Sequence, residues 1–314
     1  MKTSRRQFLW QSACLPLASQ SALATASSLV AAEANAQSAI QVGYHVSTWG
    51  ENLEQALTDL AALGFRGVQL DGNAYRKFAD RPATCKELLA AQNLALISLS
   101  ADGLTIRKET EKQEIAERVA LAKWVKEVGG QYLQVADAAR AERGANASDD
   151  YQKLGKRLSE IGKRTLNEHG IKLGYHNQMD SLGERGDEVS RILDAADAKY
   201  VWAVPDVAQM FVAGGDPVKF VRDYVLRMAY PHFKDALLQP VSASLDGTRP
   251  RPKYSFVELG QGKINLSGAL QIMKDFRYQG WLILELERTL AGRTPKESAQ
   301  ISKQYLTDRL RLTL

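Results

Sequence analysis

From about residue 37 onward the chain alternates short, continuous apolar runs with longer stretches of helical period. The runs Ile40–Val46, Gly67–Leu70, Leu94–Ser98, Tyr132–Ala136, Ile171–His176, Tyr200–Pro205, Met228–Phe233 and Trp281–Leu286 are rich in Val, Ile, Leu and aromatics. That is the composition of strands buried on both faces. Helical patterns lie near 51–63, 84–92, 109–128, 149–168, 186–196, 217–226, 266–276 and 296–310; Leu53, Leu57, Leu60 and Leu63 mark one helix face. Asp216-Pro217 and Thr294-Pro295 read as N-caps followed by proline in the first turn, and Thr294 with Glu297 makes a capping-box pattern. Gly64, Gly129, Gly170 and Gly280 fall between a helix and the next strand, where a left-handed C-cap is expected. Eight strand–helix units in one stretch predict an α/β fold, a single closed (β/α)8 TIM barrel spanning 37–314. A doubly wound open sheet would carry a glycine-rich turn after the first strand, and Tyr44-His45-Val46-Ser47-Thr48-Trp49-Gly50 is not one.

The first 36 residues follow a different pattern. Ser4-Arg5-Arg6-Gln7-Phe8-Leu9 precedes a moderately apolar stretch from about Cys14 to Ala32, and Ala34-Asn35-Ala36 offers small residues for cleavage. These are the three parts of an export signal, and the paired arginines resemble the twin-arginine type. Residues 1–36 are therefore expected to engage the twin-arginine translocase and to be cleaved near Ala36, leaving a periplasmic protein. The Ser, Thr and Gln in the apolar stretch argue against a stable membrane anchor. Cys14 leaves with the signal, so Cys85 stands alone and no disulfide framework exists.

Composition narrows the partners. Lys plus Arg is 41 against 36 Asp plus Glu, a formal charge of +5 that is too mild for a nucleic-acid surface. The longest irregular stretch, Lys234 to about Lys263, holds Arg249 and Arg251, which read as a solvated loop or an anion grip.

A barrel of this kind carries its chemistry at the C-terminal ends of its strands. The first strand ends on His45, the fifth on His176, the sixth on Asp206, the seventh on His232 and the eighth on Glu285. Three of the four histidines fall at such ends; the fourth, His169, sits at a helix C-terminus, where the helix dipole favours it. His176, Asp206, His232 and Glu285 on four successive strands suit a divalent transition metal, manganese foremost, with cobalt, iron or zinc as alternatives. Such an ion polarises a carbonyl and acidifies the adjacent C–H.

At these residues the chain resembles the xylose isomerase-like TIM barrel family, in particular its sugar phosphate isomerase/epimerase branch. The resemblance rests on His169-Gly170-Ile171-Lys172-Leu173-Gly174-Tyr175-His176-Asn177-Gln178, Ala213-Gly214-Gly215-Asp216-Pro217-Val218 and Arg227-Met228-Ala229-Tyr230-Pro231-His232-Phe233-Lys234-Asp235. Leu259-Gly260-Gln261-Gly262 and Gly280-Trp281-Leu282-Ile283-Leu284-Glu285 complete it. It implies a metal held by His176, Asp206, His232 and Glu285, with Glu285 as base. Lys234 either stabilises developing negative charge or pairs with Asp235. His45, Trp49, Gln209 and Arg288 are expected to line the substrate pocket.

The chain departs from the family pattern in three places. His176 stands where epimerases carry Glu, Gln209 where many relatives have His, and Gln178 where the family motif has a second His. With an imidazole at 176, only Glu285 remains of the two-carboxylate acid–base pair. The expected function is a metal-dependent sugar isomerase or epimerase abstracting a proton α to a bound carbonyl of a sugar or keto-sugar. The alternatives are a keto-sugar lyase or dehydratase of the same fold, and a non-catalytic periplasmic sugar-binding barrel. An abasic-site endonuclease on the same barrel would need more histidines than four.

Overall fold

A computed structural model describes residues 40–138, 147–239 and 253–314. The expected signal segment, and Arg249 and Arg251, lie outside the described residues. The strands of the barrel are β1 (Ile40–His45), β2 (Gly67–Leu70), β3 (Ala95–Ser100), β4 (Tyr132–Val135), β5 (Lys172–His176), β6 (Val201–Val204), β7 (His232–Phe233) and β10 (Gly280–Leu284). All ladders between them are parallel, in the order β6-β5-β4-β3-β2-β1-β10-β7. Two single bridges, Ala203 to Met228 and Asp206 to His232, join β6 to the β7 segment and close the ring. The interior floor is apolar: Ile97, Val204, Ala229, Tyr230, Trp281 and Ile283 pack together. Gly43 and Gly67 make room for them, since a Cβ at Gly67 would lie 2.6 Å from the Trp281 ring and one at Gly43 would overlap Ile97.

Helices α1 (Leu53–Ala62), α3 (Pro82–Ala91), α4 (Glu111–Val128), α5 (Ala147–His169), α6 (Gly186–Ala195), α8 (Pro217–Tyr224), α9 (Leu266–Asp275) and α10 (Pro295–Asp308) follow the eight helical patterns. Asp216 caps α8 through the Val218 and Lys219 amides, and Thr294 and Glu297 form the capping box of α10. None of the helices among the described residues is long and apolar enough to cross a membrane.

Three departures from the sequence reading have local causes. The seventh strand is reduced to two residues, because Pro231 has no N–H to continue the ladder. Gly280 does not cap α9. It is the first residue of β10, paired with Ile40, and Arg277 takes the left-handed turn at φ 52° instead. Short elements too brief for periodicity also appear: α2 (Gly72–Phe78), α7 (Val207–Val212), and an antiparallel pair β8 (Asp235–Leu238) and β9 (Tyr254–Val257).

Candidate active site

His176 is the last residue of β5 and Glu285 follows β10 directly, its amide donating to the Phe233 carbonyl at 3.2 Å. Asp206 follows β6 and is the N-cap of α7. Its Oδ1 accepts from the Ala208 and Gln209 amides at 2.8 Å each. The Asn177 side-chain amide grips the Asp206 backbone from both sides, accepting from its N–H at 2.8 Å and donating to its carbonyl at 3.2 Å. The Asp206–His232 bridge then sets these two side chains together. One ligand atom from each of His176, Asp206, His232 and Glu285 lies within 4.8 Å of the others. His176 Nε2 is 3.5 Å from Asp206 Oδ2, and His232 Nδ1 is 2.6 Å from Glu285 Oε2.

His176 Nε2 and Asp206 Oδ2 are buried and have no hydrogen-bond partner among the described residues. Buried polar atoms are nearly always paired, so two such atoms aimed into one cluster fit a cation there. The charges fit as well. Lys234, fully buried, lies 3.1 Å from Glu285, 2.8 Å from Glu287 and 3.7 Å from Asp206. One ammonium among three carboxylates leaves two negative charges for a divalent ion to neutralise once His232 has given up its proton.

The titration behaviour follows. For Asp206 burial opposes ionisation, but Lys234, His176 and His232 hold its pKa well below the usual range. Burial likewise opposes ionisation of Glu285, and Lys234 and His232 overcome it. Burial would lower His232, yet Glu285 and Asp206 raise it to about 9. Lys234 is pushed above its ordinary value by Glu285, Asp206 and Glu287 against the cost of its burial. His45 goes the other way: burial lowers its pKa and outweighs the pull of Glu285.

A cavity of about 490 Å³ opens over the cluster, lined among others by His45, His176, Glu285, Glu287, Gln178 and Gln209. That volume suits a ring-sized ligand, and the many polar lining groups suit a polyhydroxy one. Residues 57–309 match the family model of the xylose isomerase-like TIM barrel. The chain belongs to that family.

Proteins similar to this chain include the inosose dehydratase of Clostridium beijerinckii (strain ATCC 51743 / NCIMB 8052). It is 25% identical over 277 residues, covering 82% of this chain and 89% of that protein. Among the solved structures that share the fold are two whose names carry a metal or a reaction. The IolI protein, crystallised with a zinc atom, has a TM-score of 0.71 at 17% identity, covering 86% of this chain and 97% of IolI. The probable 3-DHS dehydratase AsbF of Bacillus anthracis has a TM-score of 0.67 at 17% identity, covering 86% of this chain and 100% of AsbF.

Within this xylose isomerase-like barrel the expected pocket residues divide. His45 and Gln209 line the cavity. Trp49 does not: it is buried against Tyr44 with ring centroids 5.7 Å apart, and its Nε1 donates to Asp59 at 3.0 Å. Arg288 is exposed and lines a neighbouring groove with Tyr254 and Phe256. Lys234 is not a cavity residue and does not pair with Asp235. Asp235 instead accepts from the amides of Ala236, Gly260, Gly262 and Ile264, while Lys234 stands behind the carboxylates with Phe256 4.2 Å away.

The other half of the barrel interior escaped the sequence reading. Gln69 and Gln134, buried on β2 and β4, form a polar layer with Ser98 and Ser100 of β3. The available signal was a lone Gln in each of two short apolar runs, Gly67-Val68-Gln69-Leu70 and Tyr132-Leu133-Gln134-Val135. A buried amide must find partners inside the barrel.

Proposed function

We propose that this chain is a divalent-cation-dependent lyase, a dehydratase of a keto-sugar or cyclic polyhydroxy ketone. The observation that carries this reading is the His176, Asp206, His232 and Glu285 cluster at the base of a polar, ring-sized cavity. The dehydratase name of the curated relative supports elimination over the isomerase or epimerase expected first. His176 in place of a second carboxylate supports it too, since two-sided epimerisation wants two proton carriers.

His176, Asp206, His232 and Glu285 would hold the cation, zinc or manganese being the ions to test. When bound, it supplies Lewis-acid polarisation of the ketone. Glu285 was the expected base. Held between Lys234 and His232, its carboxylate is only weakly basic and serves better as a ligand. His45 lines the cavity as a neutral imidazole, with Nδ1 2.7 Å from Ser47 Oγ and no partner at Nε2 among the described residues. We assign it the proton transfer. It takes the proton from the carbon α to the ketone and returns it to the departing β-hydroxyl, so the substrate loses one water and gains one C=C bond. Lys234 keeps Asp206 and Glu285 ionised. The N-terminal pattern supports export of the folded protein to the periplasm, which favours an unphosphorylated small-molecule substrate and no nucleic-acid partner.

The test is to incubate the protein in D2O with inososes and 3-keto-sugars, with and without Zn2+ or Mn2+, and weigh the products. A cation-dependent product lighter by one water is the expected result. A product of isomeric skeleton carrying deuterium at carbon would make the chain an isomerase or epimerase. No turnover under any condition would leave a sugar-binding barrel. His45→Gln is expected to lower turnover by about 10²–10⁴-fold without lowering cation uptake.

A further inference from the structure

The neutral half of the barrel interior is wired to the charged half. His232 Nε2 lies 2.7 Å from Gln69 Oε1, and Gln69 Nε2 donates to Gln134 Oε1 at 2.9 Å. Gln134 Nε2 donates to Ser100 Oγ at 3.2 Å, and Ser100 Oγ donates to the Asp102 carboxylate at 3.1 and 3.2 Å. The register explains how two glutamines on β2 and β4 meet across β3. Gln69 is aligned with Ser98 and Gln134 with Ser100, and serines are small enough to let the amides pass over them.

We propose that Gln69, Gln134 and Ser100 form a one-way hydrogen-bond chain from Asp102 to His232. It fixes the imidazole as the Nε2–H tautomer and tunes the donor strength of Nδ1, the atom that faces Asp206 and Glu285. The direction is forced from the anionic end. A carboxylate only accepts, so the Ser100 hydroxyl must donate to Asp102, which leaves its lone pairs for the Gln134 amide. Gln134 Oε1 then faces the Gln69 amide, and Gln69 Oε1 is left for His232, whose Nε2 must carry a proton. Every donor points the same way, so the bond dipoles add and each strengthens the next. Partners of this kind on the far side of a ligating imidazole set its orientation and basicity.

The Asp102 end is open. Asp102 is exposed, and Asp102, Ser100 and Gln134 all line the cavity. A substrate hydroxyl or cationic group seated on Asp102 would therefore alter the pull on His232 without touching it. Gln69, Gln134 and Ser100 are positioning residues in this scheme, acting through His232. The inference deepens the reading of His232 as a cation ligand and rests on it.

The chain has only four histidines, so 15N-histidine labelling gives an assignable imidazole spectrum. In protein loaded with Zn2+, the His232 proton is expected on Nε2, slow to exchange and shifted downfield. Gln69→Leu should shift that resonance upfield and weaken Zn2+ binding about 10–100-fold. Ser100→Ala and Asp102→Asn touch neither His232 nor Gln69, and each should shift the same resonance upfield by a smaller step. A role in packing alone would not move it. These two variants also carry the test should Gln69→Leu fail to fold. A proton on Nδ1, or an unmoved resonance in both Ser100→Ala and Asp102→Asn, overturns the chain while leaving the cation site standing. Absence of Zn2+ uptake by the wild-type protein overturns both.

Discussion

The two halves of the barrel mouth solve the problem of buried polarity in opposite ways. Within β2, β3 and β4 the buried polar side chains are neutral amides and hydroxyls that satisfy one another. On the side of β5 to β10 they are ionisable, and His176 Nε2 and Asp206 Oδ2 have no hydrogen-bond partner among the described residues. A self-satisfied network costs the fold little, whereas buried ligand atoms without a hydrogen-bond partner beside a cavity signal a bound group. The difference locates the ligand more sharply than burial does, because Gln69 and Gln134 are as buried as His176 and Asp206.

The largest effect should come from Asp206→Asn. The amide keeps the cap on α7 but removes an anionic ligand, so cation affinity should fall on the order of 100-fold or more, and the cation-free protein should melt lower too, because Lys234 and His232 lose a buried anionic neighbour. Metal content after dialysis, read beside thermal unfolding, checks both halves of that statement. Retained metal would dissolve the distinction between the halves.

Lys234→Met leaves Asp206, Glu285 and Glu287 facing one another without the ammonium. Removing one member of a buried ionic group costs about 3–5 kcal/mol, and added Zn2+ should restore part of the loss in a denaturant titration.

The pH dependence is next in size. His232 is raised from 6.5 to about 9 in the cation-free protein. Its charge therefore stabilises the fold fully below about pH 6.5, and that contribution fades as pH rises towards 9. Cation binding must displace the same proton, so affinity should climb through this window with release of protons. Melting in chelator and calorimetry in buffers of different ionisation enthalpy follow the two trends, which should run in opposite directions.

The smallest effect belongs to the neutral half. Ser98→Ala removes the acceptor 2.7 Å from the Tyr230 hydroxyl, which can turn to Gln134 at 3.2 Å. A loss of about 1 kcal/mol, with no measurable change in cation affinity, would mark Ser98 as scaffold, outside the chain that runs from His232 to Asp102.

Much of this arrangement was legible in the residue order, and the exceptions have causes. The eight strands and their helices announced themselves through continuous apolar runs, helical period and caps, all of them signals carried by neighbouring residues. His176, Asp206, His232 and Glu285 stood out because the fold dictates which strand ends meet. Trp49 misled because an aromatic after the first strand serves a pocket or the core equally well, and only its bond to Asp59 decides. Lys234 and Asp235 are neighbours in a strand-like segment, so their side chains diverge, and sequence adjacency suggested a pair that geometry forbids. Gln69 and Gln134 were silent because an amide's partner lies across strands, at a separation no local pattern records.

The packed floor beneath the site has a consequence for traffic. With Trp281 and its neighbours stoppering the opposite end, whatever ligand the cavity takes enters and leaves by one doorway. A molecule lodged in that entrance would shut the site, and under the proposed elimination the order in which product and water depart becomes a kinetic variable in its own right.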